Sequence, residues 1–431
     1  MKKLIRNIRY FSPETGKPQI GNMLLSEGTI EGFTKETHLE DTQAIEGKQQ
    51  WLLPGFIDMH VHFREPGGEE KETLETGSRA ALAGGFTTVV CMPNTQPVPD
   101  HAEAVEDLLK KTQNLPCQVL LMGSISKGLA GVEKSNFELY RHPRFVGVTD
   151  DGRPVSSARV LMEAMDKAKK ENLIVGLHCE DESLMFDRSI NQGKISRKLN
   201  LQGVPVMAEA LMIHRDLYLA EKLNSPLHIQ HVSTAESVRL IGEAKAKGVP
   251  VTCEAAPHHF SLTEETILTR GSMAKMSPPL RTEMDVKSVR QGLKDGTIDV
   301  IATDHAPHLE SDKTEDLVQS ANGIVGLETA FAVGVTYLMD YKILNLQELV
   351  ERMSTRPAQL LGLNTKGTLK PGMDADLVLV DLDRRWTVDR EAFFSKGRNT
   401  PYHAMGLRGK VTTTIVGGEI RYNGEEGLFL L

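Results

Sequence analysis

Gly55-Phe-Ile-Asp-Met-His-Val-His-Phe-Arg-Glu-Pro66 decides how this chain is read. Ile57, Met59, Val61 and Phe63 alternate with Asp58, His60, His62 and Arg64. That is the period of a β-strand, whose successive side chains point to opposite faces. One face is expected to be apolar throughout, and the other to carry a carboxyl, two imidazoles and a guanidinium. Burying such groups without partners costs about 2–7 kcal/mol each, so the polar face needs a reason. Histidines at i and i+2 of one strand aim both rings at the same point, which suits a shared metal ion. The competing reading is a half-exposed strand with its polar side in water, because His-x-His alone is a short motif.

Outward from this stretch, short apolar runs alternate with helical stretches from 56 to about 304. The runs are 56–63, 87–92, 118–124, 145–151, 173–178, 227–232, 249–254 and 299–304. Helices are expected between them, at 70–83, 103–109, 158–170, 205–223, 234–247 and 284–294. Parallel strands joined by right-handed crossovers have this signature. Eight strands, each followed by a helix, predict a (β/α)8 TIM-type barrel. A doubly wound open sheet is the alternative, but no strand is followed by the glycine-rich loop of its nucleotide-binding versions. Segments 324–341 and 346–361 read as closing helices. Residues 1 to about 52 and those beyond 365 are short strands and turns broken by Gly and Pro. The expected organisation is therefore a catalytic barrel, 55–364, beside a small β domain built from both termini, 1–54 and 365–431.

Composition narrows the function. The chain has 431 residues, 40% apolar and 25% charged, ordinary values for a globular protein. A net charge of −8 offers no basic field for nucleic acid. No apolar run approaches the roughly 18 residues of a membrane helix, so no membrane partner is expected. Met1-Lys-Lys-Leu-Ile-Arg-Asn-Ile-Arg9 is charged and lacks the apolar core of a signal peptide. Cys91, Cys117, Cys179 and Cys253 are widely spaced and read as reduced core thiols of a cytoplasmic protein.

In a (β/α)8 barrel, chemistry sits at the C-terminal ends of the strands. Those ends carry His60 and His62, Asn94, Asp150-Asp151, His178, His231 and Asp304. Parity places Val300, Ala302 and Asp304 on one face, and likewise Ile174, Gly176 and His178. A ligand set drawn from five strand ends is far more specific than any one member. His228, of opposite parity to His231, reads as a packing histidine, and His101, His142 and His214 as structural or surface residues. Four imidazoles and two carboxylates suit zinc or a similar divalent ion, one or two per chain depending on a bridging group. Asp304 is placed like a general acid/base. Arg64 is placed to clamp a substrate carboxylate.

These residues carry a resemblance. Gly55–Gly67, Met92-Pro-Asn-Thr95, Thr149-Asp-Asp-Gly-Arg-Pro-Val155 and His178-Cys-Glu-Asp181 resemble segments of the bacterial dihydroorotases, long-type members of the amidohydrolase superfamily. So do His231-Val-Ser-Thr234, Thr303-Asp-His-Ala-Pro-His308, Gly323-Ile-Val-Gly-Leu-Glu-Thr329, Asp374-Ala-Asp-Leu-Val378 and Asn399-Thr-Pro401, which extends the match to nearly the whole chain. The resemblance implies zinc ligation by His60, His62, Asp151, His178, His231 and Asp304. It also implies a substrate carboxylate held by Arg64, Asn94 and His308, with Ser277, Asn322 and Gly323 lining the substrate. Two positions depart from the pattern: Ser277 replaces a frequent asparagine, and Asn322 a frequent phenylalanine. Serine keeps a donor and an acceptor but is shorter, so a direct contact becomes a water-mediated one. Relatives often bridge two metals with a carboxylated lysine. No lysine occurs in 145–151, which leaves Asp151 as the bridge and favours two ions.

The implied activity is reversible closure of N-carbamoyl-L-aspartate to L-dihydroorotate and water, in pyrimidine biosynthesis. A homodimer and an association with aspartate transcarbamoylase are the implied assemblies. One rival is a cyclic amidohydrolase acting on hydantoins or allantoin, whose substrates lack the α-carboxylate that Arg64 and Asn94 would hold. The other is a catalytically dead scaffold subunit, which need not keep an intact ligand set.

Overall fold

The computed structural model describes residues 2–424 and 428–429. Eight parallel strands follow one another around a ring in chain order. They are β6 (Phe56–Val61), β7 (Phe86–Cys91), β8 (Gln118–Gly123), β9 (Phe145–Val148), β10 (Ile174–Leu177), β11 (Leu227–Ile229), β12 (Val251–Ala255) and β13 (Val300–Ile301). The last meets the first just beyond the regular ladder. Val61 pairs with His305, the His62 N–H donates to the His305 carbonyl at 2.9 Å, and the Asp58 carboxylate accepts from the Thr303 N–H at 3.1 Å. These contacts close the ring into the predicted barrel.

The remaining strands form one sheet from both ends of the chain: β1 (Lys2–Phe11), β2 (Pro18–Ser26), β3 (Thr29–Thr34), β4 (Thr42–Glu46) and β5 (Trp51–Pro54), with β14 (Leu377–Thr387), β15 (Gly406–Val416), β16 (Glu419–Asn423) and β17 (Leu428–Phe429). β5 and β14 pair antiparallel, Leu53 opposite Val378, and so join the N-terminal strands to the C-terminal ones. Between β4 and β5 the chain turns at 47–50, the Gln50 N–H donating to the Gly47 carbonyl at 2.8 Å, and Gly47 packs so closely that a side chain there would lie 2.2 Å from the Ile8 side chain.

Parity divides the barrel's apolar residues. Val89, Cys91, Val119 and Leu121 join the large cluster beneath the helices, whereas Val90, Met92, Leu120 and Met122 form a separate small one. A second small cluster holds Met59, Val300 and Ala302. Met59 therefore does not share a face with Val61 and Phe63, as strict alternation would have it. The pairing of β6 shifts between Asp58 and Val61, and a bulge re-aims the side chains on either side of it.

The barrel strands are shorter than the apolar runs because the chain leaves the ladder where the site begins. Arg64 (φ 61°), His231 (φ 33°) and Asp304 (φ 49°) lie in the left-handed region. Each such residue costs on the order of 1–3 kcal/mol, and such strain gathers at functional sites. Helices then carry the chain back: Leu74–Ala83, Ala102–Lys111, Ala158–Glu171, Val206–Leu223, Ala235–Ala246 and Glu283–Asp295. Segment 324–341 is helical only from Ala330. Its first residues run alongside the end of the barrel instead, Ile324 pairing with His305.

Candidate metal centre

The predicted site residues meet at one mouth of the barrel. His60 and His62 come from β6, Asp151 follows β9, His178 follows β10, His231 follows β11, and Asp304 follows β13. All six are buried. Asp151 lies at the middle. Its Oδ2 is 3.2 Å from His60 Nε2 and 3.2 Å from His62 Nε2, while its Oδ1 is 3.3 Å from His231 Nε2 and 3.6 Å from His178 Nδ1. Asp304 Oδ1 stands 3.1 Å from His62 Nε2 and 3.6 Å from His60 Nε2. Two three-residue groups result, His60–His62–Asp151 and Asp151–His178–His231, and in each the candidate ligand atoms lie within 4.8 Å of one another. His60 Nε2 is buried and faces the Asp151 and Asp304 carboxylates without a well-formed hydrogen bond to either.

Charge in the cluster is mutual. Burial alone would raise the Asp151 carboxyl, but His60, His178 and His231 hold it well below the usual carboxylate range. Asp304 is likewise held low against burial, by His62, His60 and His231. Burial disfavours the His178 imidazolium, yet Asp151 and Glu180 raise its pKa to about 10. Imidazoles and carboxylates so arranged exchange their protons for a cation as a set.

Beside the ligands lies a cavity of about 200 Å³, lined by His62, Arg64, Asn94, Ser277, His308, Asn322 and Gly323 among others. Arg64 Nε donates to the Pro307 carbonyl at 3.2 Å, and one Nη lies 3.4 Å from His308 Nε2. Burial and the nearby Arg64, Lys313 and Lys71 push His308 down to about 3, so its ring is neutral. His308 Nε2 donates to the Asn322 carbonyl at 2.8 Å. Asn94 Oδ1 is engaged by His62 Nδ1 at 2.8 Å, so Asn94 orients a candidate ligand as well as lining the cavity. Ser277 lines the cavity, as expected of it, and its hydroxyl donates to Glu180 Oε2. Asp150 points away from the cluster, as parity predicts. It accepts from the Ile125 and Ser126 N–H groups at 2.9 Å each.

Sequence reasoning missed the carboxylates behind the histidines. Glu254 Oε1 lies 2.6 Å from His60 Nδ1, and Glu180 Oε2 lies 3.1 Å from His178 Nε2. Glu180 sits inside a quoted motif, two residues after His178, and Glu254 ends the seventh apolar run. Either position was a signal.

The barrel, its terminal sheet and a cluster of His and Asp side chains that could hold a metal ion define a class, the amidohydrolases. A profile of the amidohydrolase family matches residues 51–421, and the chain belongs to that family. Within it the chain stands among the dihydroorotases. The dihydroorotase of Caldanaerobacter subterraneus subsp. tengcongensis is 43% identical over 94% of both chains. That of Syntrophus aciditrophicus is 42% identical over 98% of this chain and 99% of its own. Among solved structures, an L-hydantoinase (dihydropyrimidinase) from Arthrobacter aurescens superposes with a TM-score of 0.88 at 26% identity, covering 100% of this chain and 98% of that one. A dihydropyrimidinase from Brevibacillus agri shares the fold, with a TM-score of 0.87 at 22% identity over 100% of this chain and 96% of its own.

Proposed function

We propose that the protein is a zinc dihydroorotase that closes N-carbamoyl-L-aspartate to L-dihydroorotate and water, and reverses that reaction. The observation that carries this reading is the split of Asp151, one carboxylate oxygen toward His60 and His62 and the other toward His178 and His231. Ligand atoms about 2.0–2.2 Å from a tetrahedral zinc lie roughly 3.3–3.6 Å from one another. The spacings of 3.2, 3.2, 3.3 and 3.6 Å around Asp151 approach that edge length on both sides. The His178 Nδ1–His231 Nε2 separation is shorter, 2.9 Å. The six residues therefore suit two ions bridged by Asp151, with Asp304 beside the His60–His62 pair.

Zinc held there would polarise the substrate carboxyl and offset the charge that develops on it. The protein's own groups do the rest. Arg64, with Asn94 and neutral His308 on the same wall, holds the α-carboxylate and so fixes the ureido nitrogen against the side-chain carboxyl. Asp304, ionised at rest, accepts the proton that this nitrogen loses as the C–N bond forms and delivers it to the departing oxygen, which takes one further proton from solvent and leaves as water. In hydrolysis the proton returns to the ring nitrogen. Ser277, committed to Glu180, serves the metal side of the cavity. Segments 1–54 and 365–431 act as one β unit flanking the catalytic barrel 55–364. A cytoplasmic homodimer, with aspartate transcarbamoylase as a possible companion, completes the reading.

A hydantoinase-like activity is the alternative, and Arg64 argues against it, because a half-buried guanidinium facing the cavity would lack its partner beside an uncharged ring. The direct experiment replaces Asp304 with Asn in zinc-replete protein. Turnover should be lost in both directions while the protein stays folded. Near-normal turnover in either direction would remove Asp304 from its role as proton carrier.

A further inference from the structure

Behind His60, away from the cavity, Glu254 is 1% exposed and His228 is 3% exposed. Glu254 Oε1 lies 2.6 Å from His60 Nδ1 and accepts from the His231 main-chain N–H at 3.3 Å. Glu254 Oε2 lies 3.1 Å from His228 Nε2, and His228 Nδ1 lies 2.8 Å from the Thr252 hydroxyl. One carboxylate thus joins two imidazoles and the backbone of a second candidate ligand. A carboxylate accepts from both rings at once, so His60 donates through Nδ1 and its Nε2 lone pair is left to face Asp151 and Asp304. That Nε2 makes no well-formed hydrogen bond of its own and lies 3.2 Å from Asp151 Oδ2, an orientation that Glu254 fixes from behind.

We infer that Glu254 is the positioning residue of the His60 ligand, anchored in turn by His228. This rests on the metal reading above. His228 is then neither a ligand nor inert packing, because it holds the carboxylate that fixes the tautomer of His60 and raises its basicity. Loss of such an outer partner typically lowers metal affinity by about 10–100-fold. Glutamine keeps the shape of Glu254 but not its charge or its second acceptor oxygen: its carbonyl serves one imidazole, and its NH2 group fits the other only if that ring turns a lone pair to it.

The test measures zinc affinity of the full-length apoprotein by competition with a chromophoric chelator, alongside thermal unfolding of the same metal-free samples. Glu254→Gln should bind zinc about 10–100-fold more weakly than wild type, with the metal-free unfolding midpoint little changed. His228→Gln, a milder variant that also serves if Glu254→Gln fails to fold, should lose affinity several-fold. Wild-type zinc affinity in a folded Glu254→Gln, or in His228→Gln if the former is unfolded, would overturn the inference, and so would lost metal-free stability with affinity intact. In either case the metal reading would stand. Absence of zinc binding by wild type would overturn both.

Discussion

The Arg64 guanidinium spends only its Nε on the protein backbone, at Pro307, and turns the rest of its fork toward the cavity and His308. A carboxylate placed there forms a charge-assisted pair with the half-buried guanidinium, worth about 1.5–3 kcal/mol. Arg64→Met should therefore cripple dihydroorotate turnover far more than turnover of an uncharged dihydropyrimidine. Steady-state kinetics on both substrates decide it, and equal losses would make Arg64 structural. Asp151 and Asp150 offer a second contrast. Asp151→Ala removes the oxygens shared by both histidine groups and should lose at least one zinc per chain by elemental analysis. Asp150→Asn, which alters only the anchor of 125–126, should keep its full metal content. Zinc loss from both variants alike would contradict the division of labour. At this scale the convergence of the inward side chains was legible, because strand parity and the position of each run's end decide where a side chain points. The carboxylates behind them were only partly so: Glu180 lies two residues after His178, but Glu254 and His60 are 194 residues apart in sequence and their pairing leaves no local trace.

Asp58 belongs to the element scale, for it ties the first barrel strand to the last. Its carboxylate takes the Thr303 N–H across the closure and the His60 N–H at 3.0 Å within its own strand. Each buried amide left without an acceptor costs about 1–3 kcal/mol. Asp58→Ala should thus lower the unfolding free energy by about 2–6 kcal/mol in denaturant titrations of metal-free protein, and a change below about 0.5 kcal/mol would place the closure elsewhere. On the helix Val206–Leu223, fully buried Asp216 pairs with Arg215 at 2.7 Å, yet burial outweighs that partner and raises its pKa to about 6. An acid whose folded pKa exceeds its unfolded value, about 3.9, stabilises most below the unfolded value and loses that contribution as pH rises through the folded one. The unfolding midpoint of Asp216→Asn should accordingly gain on wild type between pH ~4 and ~7, whereas a constant difference would contradict the burial argument. Periodicity located all eight barrel strands, but it overran the C-terminal ends of all except β12. The overrun has a cause: Arg64, His231 and Asp304 keep the strand's residue pattern while their backbones have left its ladder.

For the whole molecule, the likeness in character of the two chain ends foretold one shared sheet, because strands without a core of their own must pair to bury an apolar face. The pairing of β5 with β14 could not be read in advance, since register between distant segments leaves no local trace. On the proposed metal reading the six residues come from five strand ends, so an ion that binds only the folded protein would stabilise the whole barrel, by about 4 kcal/mol at a thousandfold excess over its dissociation constant. Chelator-treated protein should unfold at a lower temperature, with zinc restoring the midpoint and the activity together. The most direct measurement is hydrolysis of L-dihydroorotate by the purified chain, with zinc counted in the same sample. The account predicts turnover that rises with zinc content toward two ions per chain. Full activity at one zinc per chain would contradict the bridging role of Asp151, and a zinc-replete chain without dihydroorotate turnover would contradict the function itself.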